Sequence, residues 1–242
     1  SRASLALSRH LNPYQRGHWS YAASVEEQIE DLKRVNLADA RRCYQDFYGL
    51  SQAQMAIVGD VEPATARAAL ERLFGDWRSP APYARIPSRV RETPPINENI
   101  ATPDKANATL RGVIALDIRD DDADYPALSL ANYLFGGSID ARLAARIREK
   151  EGLSYSVGSG LSVAALDRFG QWSVSAIHAP QNRGRVEAAI REEIERARRD
   201  GFTQDEVKRG ISGYLQARKL ARAADAALAG RLATDLYFDR TQ

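Results

Sequence analysis

Apolar residues recur at helical spacing along much of the chain, and capping signals mark where helices begin. Ser24 followed by Glu27 forms a capping box that predicts one helix, and Asn36 with Asp39 predicts the start of a second. Gly49 is expected to end the second helix, which carries its apolar residues toward one side. The N-terminal part of the chain is therefore predicted to be largely helical.

The pattern changes at the run QMAIVGD, residues 54–60, which predicts a short strand followed by a turn. Pro63 is expected to begin the next helix. Five of the ten prolines then lie between residues 78 and 95, where neither a helix nor a central strand is favoured. We therefore predict the C-terminal part of a first domain over residues 1–79 and a Pro-rich linker over residues 80–98.

Beyond the linker, the pattern predicts a strand, a helix and a hairpin. The aliphatic run 109–118 predicts the strand, and Asp124 is expected to cap the helix that follows it. The runs 154–163 and 169–178 are strand-like and are separated by a turn near Asp167. This arrangement is typical of an antiparallel hairpin.

The C-terminal third is predicted to be helical. One amphipathic helix carries Val186 and Ile190, a second follows the capping box of Thr203 and Glu206, and an alanine-rich helix comes last. Residues 99–242 are thus predicted to form a second domain. Strands segregated from runs of helices argue for an α+β fold: two successive sandwich-type domains with helices packed on a mostly antiparallel sheet, the first one truncated.

Composition and charge exclude several classes of protein. Of the 242 residues, 44% are apolar and 27% are charged, and 34 basic against 32 acidic side chains give a net charge of +2. These charges alternate along helical stretches and form no basic patch for nucleic acid, and no apolar run approaches the roughly 20 residues that span a membrane. Cys43, the single cysteine, excludes an internal disulfide and is expected to face the core.

Histidine is too scarce for a hydrolytic zinc centre. Such a centre needs about three protein ligands, usually two histidines one helical turn apart with a carboxylate nearby. His10, His18 and His178 are the three histidines, and they form neither a His-Glu-x-x-His motif nor its inverse, His-x-x-Glu-His. Although a turn could bring His10 and His18 together, we predict polar loop histidines, and no metal ligand, cofactor or catalytic residue in this chain.

The segment RIREKEGLSYSVGSG places a guanidinium at a helix end and a phenol at the start of a strand. Gly152 permits a sharp reversal between them. If Leu153 points inward, alternation puts Ser154 and Tyr155 on opposite faces of the strand. A folded-back Arg148 then approaches the phenol, and two such donors suit a carbonyl or a developing oxyanion. On pattern alone, a helix-terminal arginine and a half-buried tyrosine without any such role explain the same residues.

This segment resembles the glycine loop, the Arg-Leu helix and the Arg-x6-Tyr element of the pitrilysin/insulinase family of zinc metallopeptidases. The resemblance rests on the run GGSIDARLAARIREKEGLSYSVGS and extends to AIVGDV, LFGDW and DGFTQDEV. Members of the family consist of two homologous halves that close around a peptide, each built from two similar α+β domains joined by a linker. The opening LSRHLNPYQRGHWSY is similar to the C-terminal, metal-free half of long bacterial members.

The resemblance implies a non-catalytic half that binds peptide substrate, with zinc expected in the partner half. Arg148 and Tyr155 match the pair that holds the substrate backbone and supplies carbonyl and oxyanion contacts to the active site of that partner. Gly136 and Gly137 match a glycine-rich loop that approaches substrate in some members. The implied partners are the catalytic half of the same polypeptide or a homologous subunit, and a peptide substrate.

Two alternatives stay open at this point. The chain could be a structural core subunit that does not bind peptide, as found among relatives of this fold in respiratory complexes. It could also be a truncated half of an active homodimeric peptidase, with the zinc helix upstream of Ser1. The parent protein is expected to be a zinc metalloendopeptidase, and the likeness to exported bacterial members suggests the periplasm.

Overall fold

A computed structural model describes residues 2–240, and these form an α+β fold. The first four helices are α1 (Arg2–Leu11), α2 (Val25–Arg34), α3 (Leu37–Phe47) and α4 (Pro63–Phe74). The capping boxes predicted before α2 and α3 are both present, with reciprocal side-chain to backbone hydrogen bonds at Ser24 and at Asn36. Pro63 opens α4, as predicted.

Three strands and the remaining helices follow from residue 108 onward. The strands are β1 (Ala108–Leu116), β2 (Ser154–Val163) and β3 (Gly170–His178). Helix α5 (Tyr125–Asn132) continues into a π-helical turn, Tyr133–Gly137, and a second π-helical segment covers Ala144–Lys150. After the short 3₁₀ turn Pro180–Asn182 come α6 (Arg183–Asp200), α7 (Gln204–Arg222) and α8 (Asp225–Tyr237).

The strands form one antiparallel sheet in the order β1-β3-β2. Strands β2 and β3 are the predicted hairpin, so the α+β fold class and the hairpin are confirmed. Helix α6 packs on the sheet through Val186, Ala189 and Ile190, whose spacing puts them on one helical face. Leu143, Ile147 and Val186 are fully buried at the centre of this core.

Two compact units divide the chain, one formed by residues 2–23 and 88–215 and the other by residues 24–87 and 216–240. The boundary at 87/88 falls inside the Pro-rich segment, and residues 75–107, all of them described, contain neither helix nor strand. Each unit combines two separate stretches of sequence. The predicted division into successive domains over 1–79 and 99–242 therefore stays a prediction.

Three local predictions fail for identifiable reasons. The run 54–60 is not a strand, because no other segment within residues 2–240 pairs with its backbone. Cys43 is exposed rather than buried, because α3 carries no buried residue. Asp124 precedes α5 but its side chain makes no capping hydrogen bond, because its backbone is helical (φ −82°, ψ −16°) and not extended as in a typical N-cap. No helix in the described part of the chain has both the length and the apolar character to cross a membrane.

Candidate functional site

A sharp reversal joins the π-helical segment to β2. The amide of Glu151 donates to the carbonyl of Arg146 at 2.9 Å, and the amide of Leu153 donates to that of Ile147 at 2.9 Å. Between them Gly152 has φ of +60°, a backbone conformation that residues with a Cβ rarely adopt. Leu153 then enters the core with 3% of its surface exposed. The predicted glycine reversal and the inward direction of Leu153 are confirmed.

A β-bulge at the start of β2 directs Tyr155 outward. Ser154 lies opposite His178 and Ser156 lies opposite Ile177, so Tyr155 is an extra residue without a partner in β3. Ser154 is 5% exposed, whereas Tyr155 is 86% exposed, which confirms that the two point to opposite faces. The sequence pattern predicted this alternation but gave no sign of the bulge, because a bulge depends on the pairing between two strands.

The hydroxyl of Ser154 fastens this bulge. Its oxygen lies 2.8 Å from the carbonyl oxygen of Ser156 and 2.7 Å from that of Ile177, so its single proton is shared between two acceptors. One acceptor belongs to β2 beyond the bulge and the other to β3. Ser154 therefore fixes the backbone that carries Tyr155, a role that sequence reasoning missed.

Arg148 and Tyr155 come together as predicted. The guanidinium carbon of Arg148 lies 5.8 Å from the centre of the Tyr155 ring, within the range of a cation–π contact. Arg148 also forms an ion pair with Glu149 at 3.2 Å, and its side chain is 43% exposed. The arginine and the phenol thus place two groups of hydrogen-bond donors on one accessible patch. Such donors can bind a carbonyl oxygen or a developing oxyanion.

Gly136 and Gly137 lie elsewhere along β2. They end the π-helical turn behind α5. A Cβ on Gly136 would lie 2.6 Å from the backbone nitrogen of Ser159, so this position packs directly on the strand. Ser159 follows Tyr155 by four residues, which corresponds to about 13 Å along a strand. The structure therefore gives Gly136 a packing role, and the predicted contact of both glycines with substrate stays a prediction.

Asn132 links this turn to the sheet. Its Oδ1 accepts hydrogen bonds from the hydroxyl of Ser159 at 2.8 Å and from the indole nitrogen of Trp172 at 3.1 Å. Ser159 belongs to β2 and Trp172 to β3. One carboxamide oxygen thereby holds the end of α5 against both strands of the hairpin.

Arg142 anchors the segment that carries Arg148 to the start of α7. Its guanidinium donates to both carboxylate oxygens of Glu206, at 2.6 and 2.7 Å, and to the carbonyl of Gly201 at 2.9 Å. It also lies over the ring of Phe202, with 4.4 Å between the guanidinium carbon and the ring centre. The hydrogen bond from Arg142 is the main reason why the pKa of Glu206 falls from 4.5 to about 2. Glu206 also caps α7 in the predicted capping box with Thr203.

Arg146 makes a second anchor, toward α6. It donates to Glu151 at 2.8 Å and to Glu193 at 3.1 Å, and it contacts Glu192. The bond with Glu151, followed by that with Glu192, raises the pKa of the arginine above its usual range. Arg142 and Arg146 therefore hold the helical segment, whereas Arg148 contacts, among residues 2–240, the exposed carboxylate of Glu149 and the ring of Tyr155.

His10 and His18 each contact other groups of the protein. His10 Nε2 lies 2.7 Å from the carbonyl oxygen of Pro94. His18 stacks on Tyr14 with 3.8 Å between ring centres, and its Nδ1 accepts from the amide of Ser20 at 3.1 Å. Across residues 2–240, no group of three or more His, Cys, Asp or Glu side chains is placed to hold a metal ion.

Comparison with known proteins identifies the family. The family described as Peptidase M16 inactive domain matches residues 34–214. A probable inactive metalloprotease of Bacillus subtilis is 28% identical over 142 residues, covering 57% of this chain and 32% of the relative. An uncharacterized zinc protease of Streptomyces coelicolor is 28% identical over 194 residues, covering 78% of this chain and 41% of the relative.

The fold agrees with this assignment. The crystal structure of a peptidase M16 inactive domain from Pseudomonas fluorescens superposes with a TM-score of 0.78 at 22% identity, covering 99% of this chain and 56% of that one. This chain thus spans less than half the length of the two relatives and about half of that crystallised chain. Because the family match covers most of the sequence, the resemblance to zinc metallopeptidases is confirmed, and the chain belongs to the peptidase M16 family as an inactive domain.

Proposed function

We propose that this chain is the non-catalytic half of a zinc metallopeptidase, and that it binds an extended peptide through Arg148 and Tyr155. The observation that carries the proposal is the contact of Arg148, in the π-helical segment, with Tyr155, on the bulge at the start of β2. Tyr155 is 86% exposed, so its ring and hydroxyl contribute little to folding. An exposed aromatic donor held on a hydrogen-bonded backbone suits recognition of another molecule.

The chemistry of the pair fits a peptide carbonyl. A guanidinium only donates hydrogen bonds, and a phenol can donate one, so both groups favour an oxygen that carries negative charge. The carbonyl oxygen gains such charge when water attacks the peptide bond. Donors already held in place then stabilise the tetrahedral intermediate more than the substrate, which lowers the barrier. Arg148 and Tyr155 act in this proposal as substrate-binding and oxyanion-stabilising groups.

The attacking water and its metal belong to the partner in this proposal. Zinc needs about three protein ligands, and the described residues of this chain offer no such cluster. The partner is a catalytic half, either on the same polypeptide or on a homologous subunit. The names of the two relatives, an inactive metalloprotease and a zinc protease, support a proteolytic setting, and this chain covers only 32% and 41% of their lengths.

Removal of the Tyr155 hydroxyl tests the proposal. Tyr155→Phe, in the protein assembled with its catalytic half, keeps the ring that contacts Arg148 and removes only the donor. Loss of one oxyanion donor costs about 100-fold to 1,000-fold in kcat, so we expect kcat for peptide cleavage to fall far more than KM rises. Tyr14→Phe is the matched control, because Tyr14 is a half-buried tyrosine of the same compact unit and its ring stacks on His18.

A second variant separates binding from chemistry. Arg148→Gln removes the charge and keeps a shorter donor, and we expect weaker peptide binding in the assembled protein. The rival function, a structural subunit, predicts no peptide binding and no effect of either substitution. An unchanged kcat/KM in Tyr155→Phe would contradict the role assigned to the phenol.

A further inference from the structure

A cavity of about 320 Å³ opens beside Tyr155, at the edge of the sheet where β3 ends and where β1 and β2 begin. Residues from β2, from β3, from the bend just before β1 and from the turn before α6 are among those that line it: Asn107, Ser154, Tyr155, Ile177, His178 and Asn182. Tyr155 forms part of the wall, so a peptide held by its phenol passes this cavity. The sequence motifs that indicated Arg148 and Tyr155 do not include His178 or Asn182, which supply polar side chains to this cavity.

His178 brings an unused acceptor to the cavity. The residue is only 4% exposed, and its Nδ1 lies 2.9 Å from the carbonyl oxygen of Ala179. A carbonyl can only accept, so Nδ1 carries the proton, and in the neutral imidazole Nε2 is left as an acceptor. Nε2 makes no hydrogen bond to any of the described residues. His178 lines the cavity, so this nitrogen is an acceptor that a ligand atom entering the cavity can use.

Asn182 brings a second acceptor. Its amide nitrogen donates to the carbonyl of Leu153 at 3.2 Å, which fixes the direction of the carboxamide. The Oδ1 of Asn182 then has no donor within residues 2–240. The hydroxyl of Ser154 does not donate to Asn182 Oδ1, because its proton is already shared between the carbonyls of Ser156 and Ile177.

The cavity lining contains no carboxylate, lysine or arginine side chain. A cationic side chain would therefore enter without a counter-charge, which is unfavourable. An anionic side chain would face the two acceptors, which is unfavourable as well. A neutral group with two N–H donors matches the two acceptors. Such a group is the primary carboxamide of glutamine or asparagine.

We propose that this cavity is a side-chain subsite for a glutamine or asparagine of the bound peptide, with His178 Nε2 and Asn182 Oδ1 accepting from its amide. The proposal rests on the proposed function, because it takes the ligand to be a peptide held at Tyr155. It adds a preference for one chemical class of residue next to the polarised carbonyl. His178 and Asn182 are specificity-determining residues in this reading and take no part in bond cleavage.

Two blocked amino acids provide the test: N-acetylglutamine N-methylamide and its norleucine counterpart, which is similar in length but lacks the amide. Their dissociation constants are measured by ligand-observed NMR on the protein assembled with its partner half. An unpaired donor or acceptor in a buried site costs about 10-fold in affinity, so we expect the glutamine derivative to bind at least roughly 10-fold more tightly. His178→Phe keeps a flat ring and removes the acceptor, and we expect the preference to disappear.

Equal affinity of the two compounds for the wild-type protein would overturn the subsite, as would a preference that persists in His178→Phe. If His178→Phe does not fold by circular dichroism, Asn182→Ala serves as the second variant, with the same expected loss of preference. The test is separate from that of the proposed function, because these compounds are too short to need the Arg148–Tyr155 pair. An amide preference together with indifference of peptide cleavage to Tyr155→Phe would keep the subsite and reject the oxyanion role.

Discussion

Replacement of Glu206 by glutamine removes one charge from the ion pair that joins the Arg148 segment to α7. The Arg142 side chain is 9% exposed and that of Glu206 is 22% exposed, so solvent screens this pair only partly. The pKa of Glu206 falls from 4.5 to about 2, chiefly because Arg142 donates to its carboxylate. At about 1.4 kcal/mol per pKa unit, this difference corresponds to roughly 3 kcal/mol of folding free energy at neutral pH.

The sign of the pH dependence follows from the lowered pKa. A carboxylate whose pKa is lower in the folded protein stabilises the fold fully above its ordinary pKa, near 4.5 for Glu206. This contribution is lost as the pH falls from there toward about 2, where the folded protein takes up the proton. A glutamine at position 206 has no proton to take up in this range. The stability of Glu206→Gln should therefore lack the loss between about pH 4.5 and 2 that the Glu206 carboxylate causes in the wild type. Arg142 also stays buried without its carboxylate, which agrees with a cost of several kcal/mol at pH 7.

Urea unfolding followed by circular dichroism at pH 7, 4 and 2.5 measures both effects. We expect Glu206→Gln to be about 3 kcal/mol less stable than the wild type at pH 7 and the difference to shrink toward pH 2.5. Asp205→Asn is the matched control on the same helix, since the Asp205 and Arg209 side chains are 75% and 73% exposed. Such an exposed pair contributes less than about 1 kcal/mol. A Glu206→Gln effect no larger than that of Asp205→Asn would refute the argument.

Two further substitutions test the local geometry of β2. Gly136→Ala should destabilise the fold by about 1–3 kcal/mol in urea unfolding, because its Cβ would lie 2.6 Å from the backbone nitrogen of Ser159. Gly184→Ala, at an open position, should cost nothing, and equal effects of the two would contradict the packing argument. Ser154→Ala should cost about 1 kcal/mol by the same measurement and shift the backbone amide resonance of Tyr155 in NMR spectra. An unchanged Tyr155 resonance would show that the hydroxyl does not fasten the bulge.

Features fixed by near neighbours could be predicted from the sequence. The capping boxes at Ser24, Asn36 and Thr203 each involve residues three positions apart, so their hydrogen bonds do not depend on the rest of the fold. The reversal at Gly152 likewise follows from one residue that tolerates positive φ. The approach of Arg148 to Tyr155 then follows from that reversal.

Features fixed by distant parts of the chain could not be predicted. The run 54–60 has the composition of a strand, but a strand also needs a partner for its backbone. The bulge at Tyr155 is set by the register of β2 against β3, so the sequence of β2 alone does not predict it. The unused nitrogen of His178 depends on where Ala179 and the neighbouring strands lie.

The π-helical form of Ala144–Lys150 bears on how this segment tolerates changes in length. Its hydrogen bond from Glu151 back to Arg146 encloses one residue more than an α-helical bond would. Deletion of a single residue there could restore an ordinary helix without opening a gap in the chain. The π turn is therefore the place where the length of this segment can change with the least effect on the core, and such a change alters the spacing between Arg148 and Tyr155.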